Sequence, residues 1–177
     1  KKEHASIVFS SSCTVYGQPE KKHLPVSEEA PLQPATSPYG NTKQICEEIL
    51  RDCTISYNGK LNVIALRYFN PIGAHPSALI GELPRGVPQN LLPFITQTAA
   101  GLRERLSVFG NDYNTPDGSC IRDYIYVCDL AKAHVSALDR MMDEKSEMAG
   151  AVEYFNLGTG VGISVLQMLE LFKKATG

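Results

Sequence analysis

Three consecutive serines, Ser10-Ser11-Ser12, end the first apolar stretch of the chain. Tyr39 and Lys43 follow, four residues apart. If the apolar stretch is a strand of an open parallel sheet, its carboxyl end is where such sheets bind ligands. Taken alone, the serines read more simply as a strand end opening into a loop. Residues four apart share one face of a helix, so the Lys43 ammonium can lie near the Tyr39 phenol. A cation beside a phenol favours the phenolate, and a phenol tuned in this way can take or give a proton near neutral pH. Tyr-x-x-x-Lys is weak by itself, because a chain with eight tyrosines can contain one by chance. Arg122 is a further candidate: a guanidinium grips phosphate oxygens in a fork, although beside Asp123 it can equally form an ordinary surface ion pair.

These side chains need a scaffold, and the chain patterns one. Ala5 to Phe9 is short, β-branched and unalternating, as expected of a strand covered on both faces. A long polar connection with Gly17 and five prolines follows, and loops of that length are often functional. Ser37 and Pro38 read as the cap and first position of a helix whose apolar residues Ile45, Ile49 and Leu50, with Cys46 and Cys53, recur at helical spacing. Leu61 to Phe69 is a second strand, which completes a βαβ unit. Residues 71–90 look irregular. A helix is expected over Leu91 to Leu102, a strand over Leu106 to Phe109, and turns around Asp117-Gly118. Then come a strand at Tyr124 to Val127, a helix capped by Asp129 and running to about Met142, and a strand at Val152 to Leu157. Ser164-x-x-Gln167 reads as a capping box on the last helix. Alternating strands and helices define an α/β fold. Gly158-Thr-Gly-Val-Gly162 imitates a dinucleotide-binding turn, but its third glycine would fall on Ile163, so it reads as a helix-entry turn.

Bulk properties exclude several classes. The 177 residues are 43% hydrophobic and 20% charged, with a formal net charge of −2, so nothing draws the chain to nucleic acid or an anionic membrane. No apolar run approaches the ~18 residues of a membrane span. Five scattered cysteines without C-x-x-C, and four histidines far apart, argue against a disulfide framework and against a metal site. Reduced thiols place the protein in the cytoplasm. Both ends look cut: a strand lies almost at residue 1, and the last helix is still running at Gly177.

A strand ending in serine, then a loop, then Tyr-x-x-x-Lys at the start of the next helix resembles the Ser-Tyr-Lys constellation of the extended short-chain dehydrogenase/reductase family. Further blocks resemble one branch of it, the UDP-glucose 4-epimerases: Phe9-Ser-Ser-Ser-Cys-Thr-Val-Tyr-Gly17, Ser37-Pro-Tyr-Gly40, Arg67-Tyr-Phe-Asn-Pro71, Gly73-Ala-His75 and Val87-Pro-Gln-Asn-Leu91. So do Val108-Phe-Gly-Asn-Asp-Tyr113, Asp117-Gly118, Ile121-Arg-Asp-Tyr-Ile-Tyr-Val127 and Asn156-Leu-Gly-Thr-Gly160. The blocks span nearly the whole chain, in order.

The resemblance implies a Rossmann-type parallel sheet, with residues 1–70 forming the later part of an NAD-binding domain. Residues 71–177 would mainly form a smaller sugar-nucleotide domain, with some strands returning to the main sheet. It implies NAD as cofactor, a UDP-sugar as substrate, and a homodimer. Ser12, Tyr39 and Lys43 would be catalytic: Tyr39 exchanges a proton with the C4 hydroxyl, Lys43 tunes it and bonds the nicotinamide ribose, and Ser12 orients the substrate oxygen. Phe69 would lie beside the nicotinamide, with Ser12, Tyr39 and Lys43 as its neighbours on the cofactor. Ser12, Cys13 and Thr14 would meet the sugar. Asn70, Gln89, Asn90, Leu91, Ser107, Val108, Phe109 and Arg122 would grip the uridine diphosphate. Cys13 stands where alanine is more usual, and Gln89 and Ser107 each replace a common asparagine. The family's glycine-rich phosphate loop and ribose-binding acid precede the matched region, so this piece alone is expected to be inactive. The alternatives are a sibling 4,6-dehydratase or UDP-sugar decarboxylase, or a non-catalytic remnant that binds a nucleotide sugar. A dehydratase usually carries Asp-Glu after the catalytic hydroxyl, where this chain has Cys13-Thr14.

Overall fold

The structure is a computed structural model that describes residues 4–143, 148 and 150–177. It separates into two units, one running through Phe69 and again over Asp129–Gly160, the other comprising Asn70–Cys128 and Val161–Gly177.

The first unit is built on three parallel strands in the order β1 (Ala5–Ser12), β2 (Leu61–Tyr68) and β5 (Val152–Leu157). In register, Ser11 faces Arg67 and Ser12 faces Tyr68, while Arg67 also faces Asn156. Central β2 is apolar, and Val63, Ile64 and Ala65 are completely buried. Side chains alternate across a strand. One face of β2 therefore presents Ile64 and Leu66 to Ala137 and Met141 of helix α3 (Val127–Met142). The other presents Arg67 to Glu47 of helix α1 (Pro38–Ser56).

Helix α1 starts where the Ser37-Pro38 pair predicts, with the Ser37 hydroxyl accepting the Gly40 N–H. Its orientation differs from the sequence expectation. Ile45 and Ile49 lie on the surface, 45% and 54% exposed, and the buried residues are Gly40, Glu47 and Thr54. The inward face is thus small and polar, because the strand beneath it offers a guanidinium to pair. Strand β1 also departs from expectation. It runs three residues further, through Ser12, and within this chain Ala5 to Ile7 are exposed while Ser11 and Ser12 at its carboxyl end are buried.

Between β1 and α1 the chain forms two 3-10 turns, Cys13–Tyr16 and Lys21–His23, and Val15 and Tyr16 of the first pack with Ala30 in a small apolar cluster. The first ends at Gly17 with φ of +61°, where a Cβ would stand 2.5 Å from the Pro34 carbonyl oxygen. Only glycine suits that backbone and that space.

The second unit holds β3 (Asn70–Ile72) parallel to β4 (Ile121–Tyr126), with β6 (Gly162–Ser164) antiparallel on the other side of β4. Helix α2 (Leu91–Ala99) stops short of the expected Leu102 because Gly101 turns left-handed at φ +74°. No strand forms over Leu106–Phe109. That segment pairs with no strand among the described residues, and Phe109 is 86% exposed. An apolar run such as this does not make a strand without a neighbour to bond. Helix α3 follows β4 directly, so Asp129 sits in its first turn and is not its cap. The Gly158–Gly162 turn leads into β6 before α4 (Val165–Thr176) begins, and Ser164 and Gln167 form both bonds of the capping box.

Asp117 ties this unit together. Its carboxylate accepts the Ser119 N–H at 2.9 Å, the Ser119 hydroxyl at 2.8 Å, and the hydroxyl of Ser164 at the start of α4. The Ser164 bond, then those from Ser119, hold its carboxyl below the usual value. A folded-state value below the unfolded one contributes stability at neutral pH that is lost as pH falls through the folded value. Asp117→Asn should therefore melt below wild type at about pH 7, and the gap should narrow as the pH falls below the ordinary carboxylate value of about 4. Thermal scans across that range check it, and a gap that does not shrink on acidification would contradict the assignment.

Candidate active site

In the first unit the serine run, Tyr39 and Lys43 are brought together by two element ends. β1 delivers the serines at its carboxyl end, and the first turns of α1 deliver Tyr39 and Lys43. The Lys43 ammonium donates to the Ser10 carbonyl at 2.8 Å and lies 5.5 Å from the Tyr39 ring centre and 5.1 Å from that of Phe9. The cation is therefore fixed beside the phenol ring by the strand end. Tyr39 is 54% exposed, so its phenol can be approached from outside. Ser12 is buried, and its Oγ accepts the Thr14 N–H at 3.2 Å and the Thr14 hydroxyl at 3.0 Å. Two accepted bonds leave the Ser12 proton to be donated. Cys13 and Thr14 belong to the 3-10 turn that this cap opens. Gly40 lets α1 close on that turn, since a Cβ there would sit 3.1 Å from the Thr14 carbonyl oxygen. Phe69 follows β2 and donates its N–H to Leu157 of β5.

Two groups around these residues carry no local sequence signal. The Tyr68 hydroxyl lies 2.8 Å from the Ser10 hydroxyl and 2.5 Å from His134 Nε2. His134 Nδ1 is 2.8 Å from the Leu130 carbonyl, as when it donates there. Burial pushes the Tyr68 hydroxyl above its usual value. The second group is the buried pair Glu47 and Arg67 with Tyr16, whose partners lie far apart along the chain. Arg67 and Tyr16 fall in blocks read for their resemblance, Arg67–Pro71 and Phe9–Gly17, but neither was given a role, and Glu47 falls in none.

In the second unit Asn70, Gln89, Asn90, Leu91, Ser107, Val108, Phe109 and Arg122 all line one cavity of about 440 Å³. They come from β3, the approach to α2 and its first residue, the unpaired stretch after α2, and β4. Glu82, Cys120, Tyr124 and Val165 also line it, and the sequence reading did not include them. Asn90 donates to Glu82 at 2.7 Å, and the Arg122 guanidinium donates to the Ile121 carbonyl at 2.9 Å. The cavity thus offers one guanidinium, several amides and hydroxyls, and apolar walls, which is a donor set that suits a phosphorylated, ring-bearing ligand. Among the described residues no cluster of histidine, cysteine or carboxylate side chains could hold a metal.

A parallel sheet with a serine at one strand end, and Tyr-x-x-x-Lys on the helix returning to the next strand, defines the first unit as a Rossmann-type α/β unit of the Ser-Tyr-Lys class. The model of the NAD dependent epimerase/dehydratase family matches residues 1–158, and the chain belongs to that family. It is 55% identical over 170 residues to a UDP-glucose 4-epimerase of Dictyostelium discoideum, covering 96% of this chain and 47% of that protein. It is 54% identical over 171 residues to one from Bacillus subtilis (strain 168), covering 97% and 48%. The crystal structure of UDP-glucose 4-epimerase from Bifidobacterium longum in complex with NAD+ and UDP matches with a TM-score of 0.87 at 46% identity, over 96% of this chain and 48% of that one. The chain spans about half the length of the curated relatives it matches.

Proposed function

We propose that this chain is the central portion of a UDP-glucose 4-epimerase, which interconverts UDP-galactose and UDP-glucose with bound NAD. The observation that carries the reading is the Lys43 ammonium, held by the Ser10 carbonyl at the end of β1 and set against the Tyr39 ring. The similarity to two UDP-glucose 4-epimerases and to one solved with NAD+ and UDP supports it.

In this reading Tyr39 removes the proton from the sugar's C4 hydroxyl and later returns it from the same position. Lys43 stabilises the phenolate form of Tyr39 that takes the proton and that is restored when the proton is returned, and Ser12 donates to the C4 oxygen. The exposed Tyr39 hydroxyl and Lys43 ammonium fit the ribose of a nicotinamide nucleotide, with Phe69 beside the ring. When bound, NAD supplies the acceptor and donor of hydride at C4. The sugar must present both faces at C4, so it has to be held elsewhere, by its nucleotide. Arg122 is suited to the diphosphate, with Asn70, Gln89, Asn90, Leu91, Ser107, Val108 and Phe109 around it in the cavity of the second unit. Cys13 and Thr14 are assigned to the sugar.

Two further assignments belong to the same reading. The exposed Ile45 and Ile49, one turn apart on α1, suit a helix face covered by a second copy, and we assign the protein a homodimer. No disulfide joins any of the five cysteines, which suits a reducing cytoplasm. Among the described residues no helix is long and apolar enough to cross a membrane.

The test is turnover of UDP-galactose by the full-length protein, followed as UDP-glucose formed. Formation of UDP-glucose with no net consumption of added NAD is expected. Formation of a 4-keto-6-deoxy sugar nucleotide, or of no product, would overturn the reading.

A further inference from the structure

Two charged side chains in the first unit are almost completely buried and take no part in the proposed chemistry. Glu47 is 4% exposed and Arg67 is 3% exposed. They meet in a fork, with Arg67 Nε to Glu47 Oε1 at 3.0 Å and Nη2 to Oε2 at 2.7 Å. Burial works against the Arg67 charge, but the bonds to Glu47 and Tyr16 outweigh it and hold the guanidinium above its ordinary value. Charges this deep need a reason, because a buried ion pair is commonly no more stabilising than an apolar pair of the same size. A fork is directional where apolar packing is not.

The reason lies in what the pair connects. Glu47 stands one turn beyond Lys43 and two beyond Tyr39 on the same face of α1. Its Oε1 also accepts the Ser11 hydroxyl at 2.5 Å, one residue before Ser12. Arg67 sits on β2 opposite Ser11, and its third donor reaches the Tyr16 hydroxyl at 2.9 Å, at the end of the turn that Ser12 opens. Tyr16 in turn donates to Asn156 on β5 at 2.7 Å. The pair therefore ties the helix bearing Tyr39 and Lys43 to the strand and turn bearing Ser12. Meanwhile the apolar residues that would otherwise turn α1 inward, Ile45 and Ile49, remain on the surface.

We infer that Glu47 and Arg67 are positioning residues, which set the rotation of α1 and with it the placement of Tyr39 and Lys43 against Ser12. The inference rests on the epimerase reading. Its test uses the full-length protein and three variants: Glu47→Gln, Arg67→Lys, and the apolar double Glu47→Leu with Arg67→Met. For each, kcat and KM for UDP-galactose, UDP affinity and the thermal midpoint are measured. The double variant should fold with a midpoint close to wild type. Its kcat should fall by ~10- to 100-fold, as for a displacement of about 1 Å, while KM and UDP affinity change by less than ~3-fold. Glu47→Gln, which still accepts from Ser11, should fall between the two. Arg67→Lys keeps the charge without the fork and should lose more kcat than Glu47→Gln.

A folded double variant with kcat within ~2-fold of wild type would overturn the inference. So would loss of UDP affinity in step with kcat, since that would make the effect general. If the double variant does not fold, Glu47→Gln decides, and an unchanged kcat there overturns it. Wild-type protein without epimerase turnover refutes the underlying reading, and the positioning role falls with it; wild-type turnover with insensitive variants refutes the positioning role alone.

Discussion

Tyr39→Phe in the full-length protein is expected to lower kcat for UDP-galactose by ~10²- to 10⁴-fold, or about 3 to 5 kcal/mol of barrier, with KM within ~3-fold of wild type. The substitution removes one oxygen and leaves the ring that packs beside Lys43 at 5.5 Å. Because the side chain is half exposed at the start of a capped helix, the fold should not notice the change. The only group lost is the hydroxyl to which the proposed reaction assigns the C4 proton. Nothing else on α1 can substitute: Lys43 is engaged with the Ser10 carbonyl, and Thr42 turns its hydroxyl back to the Tyr39 carbonyl at 2.7 Å. A stopped assay over a time course, with UDP affinity measured in parallel, separates chemistry from binding. A variant that keeps more than about a tenth of wild-type kcat would remove Tyr39 from the proton-transfer role.

The parts of this architecture that follow from neighbouring residues are legible in the chain. Ser37-Pro38 predicts the start of α1, Val152 to Leu157 is the observed β5, and Ser164 with Gln167 forms the expected box. The cap and the box depend on bonds made within one turn, and β5 carries its apolar pattern in six consecutive residues, although its bonds run to β2. Features that depend on distant partners are not legible in the same way. The stripe of Ile45 and Ile49 satisfies helical spacing, but which face turns inward is decided by Arg67, twenty residues after Glu47. Leu106 to Phe109 has the composition of a strand and lacks the neighbour that would make it one. The eight residues lining the second unit's cavity spread over more than fifty positions, from Asn70 to Arg122. No periodicity links them; their resemblance to epimerase blocks was the only sign that they belong together. Glu82 was outside that resemblance, and Tyr124, though inside the Ile121–Val127 block, was given no part in the site; the cavity brings both to it.

The largest effect on stability is expected at Arg67. Arg67→Ala should cost the full-length protein ~3 to 5 kcal/mol, read as a shift of the denaturant midpoint at unchanged slope. The cost does not come from losing a favourable pair, since buried pairs are weak stabilisers in net terms. It comes from what stays behind: the Glu47 carboxyl group, 4% exposed, loses its guanidinium while the Ser11 hydroxyl still donates to it. Tyr16 suffers less, because its hydroxyl still reaches Asn156. The rings of Tyr16 and Tyr154, whose centres lie 4.9 Å and 4.3 Å from the guanidinium carbon, would border the space left empty. A stranded charge and an empty space make different predictions for a second substitution. If the stranded carboxylate dominates, adding Glu47→Leu to Arg67→Ala should restore part of the lost stability, although it deletes another side chain's bonds. If the cavity dominates, the second change should leave stability unchanged or lower it further. A double-mutant cycle measures which holds. A loss below about 1 kcal/mol for Arg67→Ala would mean that water reaches Glu47, and the buried fork could then not fix the helix that carries Tyr39 and Lys43.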